Sequence, residues 1–155
     1  KNKLKLQLDY MKKNNCLISH TDYEIISRMS DKLGYMQIKK DITYDNLINS
    51  CDIGLSTVII SSKIKSKIKF PNIKTKEDFV LWLKLSKKFK FCGIQKNLVS
   101  WRKNENSIEY SLQKIRDAFV VYYKYEKFNL FKSIFFVAIL SLNFIKKTFL
   151  QKITS

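Results

Sequence analysis

The stretch Thr75-Lys76-Glu77-Asp78-Phe79-Val80-Leu81-Trp82-Leu83 constrains the fold of this chain more than any other. An acidic pair stands where the positive end of a helix dipole favours carboxylates, and Thr75 before it is a good N-cap residue. The apolar run that follows cannot stay in water. The pattern therefore predicts a helix over 76–89 packed on a core. Positions four apart share a helix face, so Asp78 and Trp82 project side by side.

The rest of the chain predicts alternating helices and strands. Leu4, Leu8 and Met11 fall on one face of a short first helix, ended by Asn14-Asn15. Residues 16–26 are rich in Ile, Thr and Tyr and read as a strand. A turn over 31–34 leads to a second strand over 35–42, and Thr43 caps a short helix to Ser50. Gly54-Leu55-Ser56-Thr57 makes a small-residue turn into a buried strand ending at Ile60. The Lys-interleaved segment 63–69 is an exposed loop or edge. Strands are expected over 91–94 and ending at Trp101-Arg102. A polar loop over 104–106 and an N-cap at Ser107 precede a long helix through Ile108, Leu112, Ile115, Phe119 and Tyr122 or Tyr123. This is an α/β chain with a helical C-terminal region, divided as 1–104 and 105–155.

The 155 residues make one domain or part of one, and 45% hydrophobic residues suffice for a core. The net charge of +17 predicts an anionic partner. Of thirty basic side chains, however, only Arg28, Arg102 and Arg116 are arginines. Base-specific DNA contacts rely on bidentate Arg, so no nucleic-acid partner is expected. His20 is the single histidine, which excludes a metal site built from several His. Cys16, Cys51 and Cys92 are odd in number and widely spaced, and are expected to be buried thiols in a reducing compartment. The first apolar residues are cut up by Lys1, Lys3 and Lys5, so no signal peptide is read.

Several residues carry two readings. Asp78 could be a helix cap or a proton acceptor. Trp82 could be core, or could edge a cleft where a flat ring stacks on a sugar. The 54–57 turn could be only a tight turn, or a floor where Ser56 and Thr57 let a ligand approach the backbone. Arg102 could be a surface charge or a phosphate binder. His20-Thr21-Asp22 could polarise a hydroxyl, or His20 could be a satisfied structural residue, as a lone His near a strand more often is. Residues 133–145 carry no charge between Lys132 and Lys146-Lys147, too short a run to span a bilayer and suited to a buried or interfacial helix.

These landmarks, in this order, resemble the C-terminal half of bacterial family-two glycosyltransferases of the GT-A fold. Leu4-x-x-Gln7-x-x-Tyr10-Met11 resembles the helix after that family's metal-binding acidic motif, and Ser19-His20-Thr21-Asp22-Tyr23 its next strand. Ser56-Thr57-Val58 resembles the turn beside the acceptor. Glu77-Asp78-x-x-Leu81-Trp82 resembles the acidic catalytic motif, and Trp101-Arg102 with Ser107 the family's Tyr-Arg and later Ser. The resemblance implies a partial GT-A-like mixed sheet with flanking helices. It implies inverting sugar transfer from a nucleotide-sugar donor to a saccharide or lipid-linked acceptor at the inner face of the plasma membrane. Asp78 would be the base, Glu77 its support, and Trp82, Ser56, Thr57 and Arg102 acceptor-binding residues. The family also implies a Mg²⁺ or Mn²⁺ ion, yet no Asp-x-Asp occurs here. The chain is therefore expected to be the acceptor-side portion of such an enzyme. The competing reading is a non-catalytic basic module, or an inactive remnant, contacting membrane or nucleic acid.

Overall fold

The computed structural model describes residues 2–103 and 108–153, with side chains through Lys147. The polar loop over 104–106 and the Ser107 cap lie outside the described residues. The fold is mixed α/β, a five-stranded sheet flanked by helices, as expected of a partial GT-A-like architecture.

Strand β1 (Ile18–Ile26) is central. It is antiparallel to β2 (Lys32–Met36) and to the short β4 (Ile59–Ile60), and parallel to β5 (Phe91–Arg102). β3 (Asp41–Ile42) pairs with the start of β5. The two strands expected over 91–102 are one continuous strand. An irregularity opposite Thr21 and Asp22, where the partner moves from Ile94 to Asn97, absorbs the polar stretch between them. The predicted turn over 31–34 is also displaced. Ser27 Oγ accepts from the Met29 and Asp31 amides and closes the hairpin earlier, which lets Lys32–Met36 pair with β1.

Helix α1 (Lys3–Lys13) buries Gln7 and Met11, while Leu4 and Leu8 face solvent. The expected Leu4–Leu8 stripe is therefore not the buried one. Gln7 Nε2 donates to Ser19 Oγ at 3.1 Å and to the Thr57 carbonyl at 3.0 Å, so a polar anchor replaces an apolar face. Helix α2 (Tyr44–Asn49) starts at Thr43 with a complete capping box, as its sequence predicts.

Helix α3 (Glu77–Ser86) buries Phe79, Val80, Leu81, Trp82, Leu83 and Leu85. It packs against α2, and Ala118 of α4 (Ile108–Val120), Val121 and Tyr122 after it and Leu140 of α5 (Leu130–Ile153) complete the same core. A π-helical turn over Val121–Tyr125 puts Tyr122 edge-on against Phe79 and aims its hydroxyl at the Ile48 carbonyl, 2.8 Å away. On α4 the buried residues are Asp117 and Ala118, and the stripe Ile108, Leu112, Ile115 is exposed. The helix packs on the side opposite to the one its periodicity suggests.

Cys16 and Cys92 form a disulfide between the α1–β1 junction and β5, and only Cys51 is free. This corrects the expectation of three thiols. The odd count hid a pair that parallel strand pairing brings together across 76 residues.

His20 is fully buried, and neither ring nitrogen has a hydrogen-bond partner among the described residues. It is not the satisfied residue expected. Its ring packs against Gly93, where an added Cβ would meet His20 Cε1 at 2.6 Å and the Lys40 carbonyl at 2.8 Å. Only glycine fits there. Burial pushes the imidazole pKa down to about 4, against a smaller opposing pull from Asp41. The unfolded chain then binds a proton that the folded one refuses between about pH 6.5 and 4. Stability present above this window should fall by roughly 3 kcal/mol across it. Urea denaturation at several pH values should show this loss, and His20→Leu should remove that part of it.

Candidate active site

The acidic pair opens α3 from an unusual start. Lys76 has left-handed backbone angles, φ 67° and ψ 13°, and makes no side-chain cap. That conformation costs a non-glycine residue about 1–2 kcal/mol. Strain of this kind persists only where the surroundings enforce it.

The surroundings here are Asp117 on α4. Its buried carboxylate accepts from the Thr75 amide at 2.7 Å, the Thr75 hydroxyl at 2.8 Å and Gln113 Nε2 at 2.9 Å. Thr75 is therefore not the expected N-cap. Its hydroxyl is held by Asp117, which fixes the chain entering α3.

Asp78 caps locally instead, with Oδ1 accepting from the Phe79 amide at 2.7 Å. Burial raises its carboxyl above the ordinary range, the Phe79 bond pulls it back, and the Glu77 charge raises it further. A half-buried carboxylate with a raised pKa holds a proton better than a solvated one and is a better base.

Around Asp78 stand residues that the sequence did not single out. Tyr23 on β1 and Cys51 after α2 both feel its charge, and both also feel Asp52. Burial pushes the Cys51 thiol up to about 12, with Lys76 pulling against it, so this thiol stays neutral. The Tyr23 ring also faces Gly54, where an added Cβ would sit 3.6 Å from it, and it meets Trp101 edge-on at 6.5 Å. Tyr23 thus links the 54–57 turn, the end of β5 and the acidic start of α3.

The predicted site residues divide accordingly. Glu77 and Asp78 are adjacent and half-buried at the start of α3. Ser56 is exposed on the turn beside Tyr23. Thr57 is buried and donates its hydroxyl to the Gly54 carbonyl at 2.7 Å, holding the turn's shape.

Trp82 is a correction. It is 1% exposed and packs edge-on against Phe91, and its indole nitrogen has no partner among the described residues. It does share Asp78's side of α3, but the helix is covered one turn in, so no ring face remains for a sugar. Arg102 turns away from the group. One guanidinium nitrogen donates to the Ser27 and Arg28 carbonyls at 2.8 and 2.7 Å and to Ser30 Oγ at 3.2 Å, bracing the β1–β2 turn. Among the described residues, no three His, Cys, Asp or Glu side chains converge as metal ligands.

No family model matches the chain. Three curated relatives show its kinship. It is 30% identical over 150 residues to TuaG of Bacillus subtilis, named for teichuronic acid biosynthesis, covering 95% of this chain and 60% of TuaG. It is homologous to bacterial glycosyltransferases. WfgD of Escherichia coli, named as a glucosyltransferase acting on GlcNAc-diphosphoundecaprenol, is 37% identical over 86 residues, 56% of this chain and 33% of WfgD. A glycosyltransferase of Haemophilus influenzae is 27% identical over 148 residues, 93% of this chain and 59% of that protein. The chain spans about 60% of the length of the two relatives that match most of it.

The electrostatics at the start of α3 can be tested directly. Glu77→Gln removes the like charge beside Asp78, so the Asp78 pKa should fall toward the ordinary carboxylate value. Carbon-detected NMR titration of the side-chain carboxyls would read the shift. An unchanged Asp78 would show that Glu77 does not tune it.

Proposed function

We propose that Asp78 is the general base of an inverting glycosyl transfer. It takes the proton of an acceptor hydroxyl, and the freed oxygen forms a bond to the anomeric carbon of a nucleotide sugar from the face opposite the leaving group. The nucleoside diphosphate departs with the bonding electron pair. The raised pKa of the half-buried Asp78, in a chain homologous to glycosyltransferases, carries this reading. Glu77 keeps that pKa high, and the Gly54–Thr57 turn with Ser56 offers the acceptor a close approach beside Tyr23.

The family's divalent ion would help the diphosphate leave. The described residues offer no ligand set that fits one, so no step here is routed through it. The acceptor is a saccharide, or one carried on a lipid diphosphate like that in WfgD's name.

A lipid-linked acceptor calls for a membrane surface. Among the described residues, no helix is long and apolar enough to cross a membrane. Helix α5 nevertheless exposes Phe131, Phe135, Leu142 and Ile145 beside Lys132 and Lys146, and α4 adds Ile108 and Leu112. Apolar side chains rimmed by lysine suit the inner, anionic face of the plasma membrane.

Two measurements test these proposals. In the full-length protein, Asp78→Asn should lower kcat by about 10²–10⁴-fold, with an unchanged circular dichroism spectrum. Full transfer activity in that variant would sink the base assignment. The protein should also co-sediment with phosphatidylglycerol-containing vesicles, and Phe131→Ser with Phe135→Ser should weaken this strongly. Equal binding by the double variant would show that α5 is not the contact.

A further inference from the structure

A cleft of about 300 Å³ lies between the residues before α2, α2 itself, the segment after it and α5. This is the lower end of the range for ligand sites, about 300–1,000 Å³. Its floor is apolar, made by Ile38, Ile42 and Leu47. Its walls carry the carboxamides of Asn46, Asn49 and Asn143, together with Ser50.

The charges balance. Lys39 and Lys147 face Asp45 and Asp52 in a chain whose net charge is +17. Lys147 is already paired with Asp52 and donates to Ser50 Oγ at 2.6 Å. Such a lining gives an anion little net attraction, and no ring among the lining residues could stack a nucleobase.

The walls are also held in place. Asn143 Nδ2 donates to the Asn49 carbonyl at 2.8 Å, Asn49 Nδ2 to the Asp45 carbonyl at 2.8 Å, and Asn46 Oδ1 accepts from the Thr43 amide at 3.4 Å. Each carboxamide spends one end on the protein. The other ends (Asn46 Nδ2, Asn49 Oδ1 and Asn143 Oδ1) make no hydrogen bond among the described residues. A mixed set of amide donors and acceptors over an apolar floor matches a sugar ring, with hydroxyls at its rim and C–H bonds on its faces.

We propose that this cleft binds a neutral, hydroxyl-rich saccharide. Saccharide binding in this cleft does not rest on Asp78 being the base.

The test follows the side-chain amide signals of Asn46, Asn49 and Asn143 by ¹⁵N NMR in the full-length protein. Cellobiose, maltose and chitobiose are the probes, with inorganic diphosphate as the anionic control. At least one disaccharide should shift these signals saturably, and diphosphate should not. Asn143→Leu should weaken the binding about tenfold, the loss expected for one good hydrogen bond and its desolvated partner. Lys39→Trp, a bulky change at the exposed rim, should block it without touching the packed wall. Asp78→Asn should leave it intact. No saturable shift with any of the three sugars, equal shifts with diphosphate, or undiminished binding in Lys39→Trp would each overturn the proposal. Sugar binding that persists while Asp78→Asn keeps full transfer would sink the base and leave the cleft standing.

Discussion

Two parallel neighbouring strands cannot be joined by a tight turn, so the pairing of β1 with β5 obliges the chain that leaves the C-terminal end of β1 to cross back to the opposite end of the sheet before β5 begins. Everything proposed for chemistry rides on that excursion. It carries α2, the Gly54–Thr57 turn, the Cys51-Asp52 pair and the acidic start of α3. The long parallel register sets where each of these can lie. Tyr23 on β1 is the shared reference point, touched by the turn on one side and by the field of Asp78 on the other.

The start of α3 sets two demands against each other. A carboxylate that accepts protons readily has to be partly withdrawn from water, which works against its charge. It also has to be held still. Asp117 supplies the second need from a distant helix, gripping Thr75 so firmly that Lys76 accepts a left-handed backbone. Two charge-assisted bonds to Thr75 of about 1.5–3 kcal/mol each outweigh a backbone cost of about 1–2 kcal/mol. The C-terminal helices therefore act on the site through its geometry.

Much of this was legible in the sequence. The Thr43 cap, the α3 helix, the β1 strand and the α/β class follow from local chemistry, and local chemistry prevailed there. What misled was periodicity where tertiary packing chose another face. Trp82, open in the sequence between core and a cleft edge, is core, and the helical stripe of Ile108, Leu112 and Ile115 faces solvent. A helix pattern says which residues lie together, not which side the rest of the protein will cover. The Asp117 clamp, the Tyr23 and Cys51 neighbours and the Cys16–Cys92 bond all join residues far apart in the chain. No single-sequence spacing encodes such pairs. Arg102 showed its rarity but not its target, because the carbonyls it braces belong to a turn whose position was itself misjudged.

The disulfide has a consequence of a different kind. It closes a covalent ring around residues 17–91, which hold most of the sheet, the acidic pair and the turn. A protease that cuts the exposed lysine-rich segment near Lys63–Lys69 would open that ring without separating its ends. Two chains would then travel as one molecule on a denaturing gel, and would part only when a reductant was added.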